Sequence, residues 1–438
     1  MSPLLLGILV TATLIILLLL GMPVAFALGL VAVGYTLMFE GFGSISILAE
    51  TFFGGLNEFA LLSIPMFILM GAAVASSRAG GDLYEALDRW LDRLPGGLLI
   101  SNLWACSIFA ALSGSSPATC AAIGKMGIPE MQRRGYPDGL AAGAIGAGGT
   151  LGILIPPSIT MIVYGIATET SIGRLFLAGL IPGLLLTVLF MCWSMFYVKK
   201  QGLNFNVSDQ VFTLREKLII LPKVLPFLIL IALVLWALYG GVATPSEAAG
   251  VGAFFCIALV MIIYRMWQPG RLWKILHTAT RESVMIMMII GTAALFSYMM
   301  SDLYITQALA EWIAGQEVNK WLLLLYTNIF LLIAGLFLPP VAVILMTAPT
   351  LVPIIEAAGF DPIWFGVILT INMEIGLITP PVGLNLYVLN SIAPNIRLTT
   401  ILWGALPFML CMVLGIIILT IFPDIVTWLP DTLMGPRI

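Results

Sequence analysis

The segment Gly148-Gly149-Thr150-Leu151-Gly152-Ile153-Leu154-Ile155-Pro156-Pro157-Ser158 is apolar enough to lie inside a bilayer, yet three glycines and a proline pair interrupt it. Proline has no amide hydrogen and its ring clashes with the preceding turn, so a helix must break or bend there. Within hydrocarbon a broken backbone is tolerated only where protein buries it or a polar cavity receives it. A near copy, Glu374-Ile375-Gly376-Leu377-Ile378-Thr379-Pro380-Pro381-Val382-Gly383, follows with its prolines 224 residues later. Interrupted helices at corresponding places in two halves point to the binding site of a secondary transporter.

Composition sets the solvent. Of 438 residues, 61% are hydrophobic and 9% charged, with a mean hydropathy of +1.09. A soluble chain carries roughly 25% charged residues, so the expectation is an all-α polytopic membrane protein embedded in a lipid bilayer. The Leu4–Leu20 run has neither a basic region nor a small-residue cleavage signal before it, and reads as a retained span. The cysteines stand singly in apolar runs and read as buried small hydrophobes. A single histidine, His277 in a basic loop, leaves no material for a histidine metal site or a Ser-His triad. No nucleotide-binding P-loop is present, so an ion gradient is the expected source of energy. Nothing points to nucleic acid, to a cofactor or to an enzyme.

Runs long enough to span fall at 4–20, 22–40, 60–77, 138–168, 175–198, 218–240, 245–264, 281–301, 362–392 and 399–422. Two further stretches, 97–134 and 321–356, are too long for one straight span and are broken by polar, Gly or Pro residues. They read as re-entrant helical hairpins. Basic residues gather at 78–93, 125–134, 199–223 and 265–281, whereas 41–58, 240–244 and 302–319 carry neither Lys nor Arg. The positive-inside rule then places the four clusters in the cytoplasm. With both hairpins drawn, the path alternates correctly and both chain ends fall outside.

The two halves acquire the same element order in opposite orientation: an inverted-topology repeat with two hairpins and two broken helices. Residues 1–198 form the first repeat, 199–217 a polar cytoplasmic linker and 218–438 the second. At the 224-residue offset Ala118, Pro129, Gly135 and Gly152 meet Ala342, Pro353, Gly359 and Gly376. Before each hairpin lies an amphipathic stretch, Asp82–Leu94 and Leu303–Ala314, which reads as an interfacial connector or as an arm between a moving domain and a scaffold.

The first hairpin turns at Ser113-Gly114-Ser115-Ser116-Pro117-Ala118-Thr119, which sets hydroxyls and carbonyls at membrane depth. The half-helix before Pro156 ends in unpaired carbonyls with a partial negative charge. Such oxygens suit a small hard cation such as Na⁺. The half-helix after Pro157 starts with free amides that favour a carboxylate, and proline suits such a start. The second half offers Thr379, the backbone of Gly376–Ile378 and Asn385. Candidate positions for an organic anion are therefore Ser115, Ser116, Pro157, Ser158, Pro381 and Asn385. Taken singly, these small residues serve equally for close helix packing. Glu374, a charge costing at least about 2.5 kcal/mol at bilayer centre, reads as a coupling-ion ligand, a proton site or an acceptor for backbone amides.

Five motifs in order give the chain a family likeness. Leu61-Leu62-Ser63-Ile64-Pro65-Met66-Phe67, Ser113–Thr119, Gly149–Ser158, Ala243-Thr244-Pro245-Ser246-Glu247-Ala248-Ala249 and Gly376–Asn385 resemble the large membrane (DctM-like) subunit of TRAP transporters, nearly end to end. TRAP stands for tripartite ATP-independent periplasmic transporter. The resemblance implies a permease in the bacterial cytoplasmic (inner) membrane, importing an organic acid such as a dicarboxylate by sodium symport and an elevator mechanism. It implies two partners, a small four-span membrane subunit and a soluble periplasmic substrate-binding protein. By motif, one Na⁺ site would use Ser113, Ser116, Gly149, Gly152 and Ile155, and a second Gly335, Gly376 and Thr379. Pro339 stands where many relatives have an aspartate at the second hairpin turn, which bears on the Na⁺ stoichiometry. The rival readings are an ion-coupled carboxylate carrier of similar fold that needs no binding protein, and an intramembrane enzyme, for which no acid-base or metal constellation is found.

Overall fold

The computed structural model describes residues 2–91, 97–201, 213–314 and 319–435. Among these the secondary structure is helical, with no strand. That follows from the solvent: in hydrocarbon an open strand edge has no water to pair with, whereas a helix satisfies its own backbone.

The first half runs α1 (Pro3–Leu19), α2 (Val24–Glu40), α3 (Ile45–Leu56), α4 (Ser63–Ala75), α5 (Ala79–Trp90), α6 (Gly97–Ser113), α7 (Ser116–Arg133), α8 (Asp138–Thr150), α9 (Ile159–Ala167) and α10 (Ile172–Lys200). The second runs α11 (Leu214–Tyr239), α12 (Pro245–Tyr264), α13 (Pro269–Asp302), α14 (Ile305–Ala314), α15 (Lys320–Phe337), α16 (Pro340–Ala357), α17 (Pro362–Leu377), α18 (Leu384–Ile392), α19 (Leu398–Ile421) and α20 (Asp424–Met434). Among the described residues seven helices are long and apolar enough to cross a membrane, or eight if the bent pair across Phe42–Ala75 counts as one. Large apolar side chains such as Ile229, Leu233, Leu325, Ile329 and Ile333 are exposed on the outside, as a lipid-facing surface requires.

Two sets of contacts organise the chain. In one, α4 packs against α12 and α2 against α13, with α1 on α2 and α11 on α12. In the other, α6, α7 and α8 pack together, as do α15, α16 and α17, and α10 lies along α19. The second arm of each hairpin also reaches the other half: α7 packs on α18, and α16 on α9. The α8–α19 contact brings backbones together, since a Cβ on Gly143 would fall 2.2 Å from the Gly404 carbonyl. Of the short amphipathic helices, α5 connects the sets by touching α6, α7 and α11, whereas α14 lies on the first set against α1 and α13.

Several local expectations are corrected. The connection 41–58 holds α3, which lies against α13, and a terminal helix, α20, packs on α10. Both are too short to register as spans. No Gly or Pro interrupts 271–290, so α13 starts at Pro269, and His277 sits on a 34-residue helix and not in a loop. The second half-helix at the first break starts at Ile159 with Ser158 as its N-cap, not at the proline pair. Asp82 is buried, 3.6 Å from Lys223 Nζ, instead of facing water. Cys192 is exposed, unlike Cys106, Cys120 and Cys256. Within the linker, Lys199 and Lys200 finish α10 and α11 begins at Leu214, while 202–212 lie outside the described residues, as do 92–94 of the first amphipathic stretch.

Two helix starts of the second half carry capping boxes, Thr213–Glu216 and Thr244–Glu247, in which hydroxyl and carboxylate each satisfy a free backbone amide. Thr244→Ala is expected to cost about 1 kcal/mol. Thermal unfolding in detergent should show the loss, and Glu247→Ala added to it should cost little more, because the two caps act as one unit.

Candidate functional site

The site is built where the first hairpin turn meets the first break. Gly114 turns the chain with φ +58°, a conformation glycine adopts freely, and a Cβ there would lie 2.7 Å from the Pro157 carbonyl oxygen. On the other side of the turn, a Cβ at Gly152 would fall 2.8 Å from the Ser115 carbonyl and 2.9 Å from the Ser116 nitrogen. Gly149 abuts Cys120 of α7, and Gly71 of α4 abuts the Ser113 carbonyl. The hairpin tip is therefore seated backbone-to-backbone on the break.

The seat is rich in oxygen. Ser113 Oγ and Thr119 Oγ1 lie 2.8 Å apart. Both also lie within hydrogen-bond reach of the Ser115 carbonyl, at 3.3 and 2.9 Å. Around them the whole of 151–158 is buried. Ser158 accepts from the Met161 amide at 3.2 Å and donates to the Ile153 carbonyl, so its hydroxyl ties the break together. Ile155 turns its side chain to α10, where it occupies the space beside Gly183. Of the first five candidate Na⁺ residues, Ser113, Ser116, Gly149 and Gly152 thus gather around the hairpin turn and the start of α7, and Ile155 could join them only through its backbone.

The second break repeats the seating with different chemistry. A Cβ on Gly376 would sit 2.4 Å from the Gly335 carbonyl oxygen, and the Val382 amide donates to the Leu336 carbonyl at 3.2 Å. Thr379 faces away from this contact. Its hydroxyl donates to the Ile375 carbonyl at 2.6 Å and lies 3.5 Å from Met409 Sδ, beside an apolar cavity of about 260 Å³ lined by Leu402, Trp403 and Leu406. Pro339, the N-cap of α16, supplies no side-chain oxygen. Pro380, Pro381 and Val382 are exposed, in contrast to their buried counterparts.

Asn385 joins the two halves. Fully buried near the start of α18, its Nδ2 donates to Ser116 Oγ at 2.7 Å and to the Gly146 carbonyl at 3.2 Å. Ser116 Oγ in turn lies 3.1 Å from Asn385 Oδ1. A side chain beyond the second break thus pins the first hairpin tip to α8. A second amide bridge, Asn372 Nδ2 to Asn328 Oδ1 at 2.6 Å, fastens α17 to α15. Asn328 and Asn372 each lie in an apolar run, where a lone amide signals a buried partner.

Glu374 lies on α17, all sixteen residues of which are buried. Neither carboxylate oxygen has a hydrogen-bond partner among the described residues. Of its three readings, the acceptor for backbone amides therefore falls away, and the two that supply a positive charge stand. Glu247, by contrast, is spent on its capping box, and Glu130 on Arg134 at 3.0 Å.

Comparison with known proteins fits this architecture. The sequence model of the family described as the tripartite ATP-independent periplasmic transporter, DctM component, matches residues 11–425. The chain is 40% identical to a C4-dicarboxylate TRAP transporter large permease protein of Pseudomonas aeruginosa, over 89% of this chain and 90% of that one. It is 36% identical to the C4-dicarboxylate TRAP transporter large permease protein of Vibrio cholerae, over 95% and 96%. Among solved structures, the YdaH transporter of Alcanivorax borkumensis, noted for an unusual topology, superposes with a TM-score of 0.64 at 17% identity, over 90% of this chain and 91% of that one. That likeness is one of fold.

Proposed function

Because the chain belongs to the DctM component family of tripartite ATP-independent periplasmic transporters, and is a multi-pass inner-membrane protein, we propose that it is the permease of a Na⁺-coupled importer that takes an organic anion from a soluble receptor. The observation that carries this reading is the pair of hairpin turns seated on helix breaks, with Asn385, beyond the second break, tied to the first turn and to α8. The dicarboxylate named for both relatives is the first cargo to test. A small four-span membrane subunit and a periplasmic binding protein complete the system.

The oxygens of Ser113, Ser115, Ser116 and Thr119, with the carbonyls that end α8, would hold one Na⁺, and every donor in that set is a hard oxygen. The second cation would rest on backbone near Gly335 and Gly376, with Thr379 contributing its carbonyl rather than its hydroxyl. Bound Na⁺ supplies positive charge beside an anion whose carboxylate meets the amides that start α18 and the Ser115–Ser116 turn. Cation and anion binding then assist each other.

The contact pattern supports an elevator acting on two inverted repeats, 1–198 and 218–438. Helices α1, α2, α4 and α11–α13 would form the scaffold, while the hairpins, broken helices, α10 and α19 would move, with α5 and α14 as arms. The reading is tested in proteoliposomes containing the chain, its small subunit and the receptor. Uptake of labelled dicarboxylate should fall to background when Na⁺ is replaced by K⁺ or when the receptor is omitted. Full-rate uptake without the receptor would instead establish the direct carrier.

A further inference from the structure

Away from the hairpin seat, a cavity of about 560 Å³ opens where the α4–α5 link, α5, α7 and the start of α13 converge. Four cations line it: Arg78 before α5, Lys125 on α7, and Arg271 and Lys274 on α13. Two acids line it as well, but both are already engaged. Asp82 faces Lys223 at 3.6 Å, and Glu85 pairs with Arg89. None of the four cations forms an ion pair among the described residues. The cavity thus presents four uncompensated positive charges drawn from three separate segments.

Like charges are not gathered in a concave site without cost, and the low-dielectric walls strengthen their field. An anion with several oxygens relieves that repulsion. The apolar surroundings indicate which anion. Met126 belongs to the lining and is 46% exposed, and Trp267 and Trp273, next in sequence to Met266 and Lys274 of the lining, are 58% and 69% exposed. Tryptophan is enriched at headgroup level, and basic pockets between membrane helices on the cytoplasmic side bind lipid headgroups. A lipid sets its phosphate among the cations while its acyl chains stay in the hydrocarbon beside the exposed Met126.

We propose that this cavity holds the phosphate of an anionic phospholipid from the cytoplasmic leaflet. Its four cations all belong to the clusters that the positive-inside rule places there. Arg78 and Lys125 come from the arm and hairpin side and Arg271 and Lys274 from α13, so the phosphate ties these two parts together. A lipid bound in this way favours the arrangement in which the cavity is formed.

The test uses the complete chain in detergent, offered equal phosphatidylglycerol and phosphatidylcholine and examined by native mass spectrometry. The wild type should retain phosphatidylglycerol preferentially, and Lys125→Gln/Lys274→Gln should bind it roughly tenfold more weakly. Equal retention of the two lipids, or an unchanged preference in the double variant, overturns the proposal. Displacement of phosphatidylglycerol by inorganic phosphate overturns the lipid as the source of the anion. Should the double variant fail to fold, Lys274→Gln alone, at an exposed position on α13, gives the same comparison with a smaller loss.

Discussion

Gly152→Val is expected to cut Na⁺-driven uptake at least roughly tenfold while leaving the chain in the membrane. The added side chain begins 2.8 Å from the Ser115 carbonyl and 2.9 Å from the Ser116 nitrogen. Both are backbone atoms of a hairpin tip that is itself held by the Pro157 contact and by Asn385. No flexible side-chain end is there to give way, so the tip must lift from the break. Overpacking of this kind costs about 1–3 kcal/mol. Here the cost falls on the oxygens proposed to hold the cation, so uptake should drop at least roughly tenfold. Gly34→Ala on α2 is the control, because a Cβ there meets nothing within 4 Å. Near-normal uptake by Gly152→Val in proteoliposomes would remove the hairpin seat from the mechanism.

The second large effect is expected at Asn385. Asn385→Leu keeps the branching and the number of heavy atoms but leaves Ser116 Oγ and the Gly146 carbonyl without their buried donor. Each orphaned group costs about 1–3 kcal/mol. Cargo uptake should fall by roughly two orders of magnitude, with a fall in unfolding temperature that bound Na⁺ no longer reverses. Ser116→Ala removes one side of the same bridge, so the double variant Ser116→Ala/Asn385→Leu should be little worse than Asn385→Leu alone. Strictly additive losses would show that the two side chains act independently and that the bridge carries no coupling between the halves.

Much of this was legible in the sequence because bilayer physics leaves few options. An apolar run of sufficient length becomes a helix, and a proline pair at depth becomes a break that protein must cover. The hairpin turns at 113–116 and 337–340 and the breaks at 151–158 and 378–383 fall where Gly and Pro punctuate apolar runs. Short helices such as α3 and α20 were not legible, because their length does not distinguish them from connecting loops. Asp82 was misplaced for a related reason: periodicity assigns a face to a helix but does not say whether a Lys223 stands opposite.

Sequence by itself thus determined the solvent, the long helices, both breaks and both hairpin turns, since each follows from local backbone chemistry. Only the tertiary structure decided what the turns touch. It set Ser158 to capping and turned the Thr379 hydroxyl towards Met409. It also left Glu374 without a partner among the described residues, and sent Asn385 across 269 positions of sequence to Ser116. No pattern of spacing contains those pairings. They depend on which faces of helices meet once apolar stripes from distant segments pack, and a buried polar group shows its role only when its partner, or the lack of one, is in place.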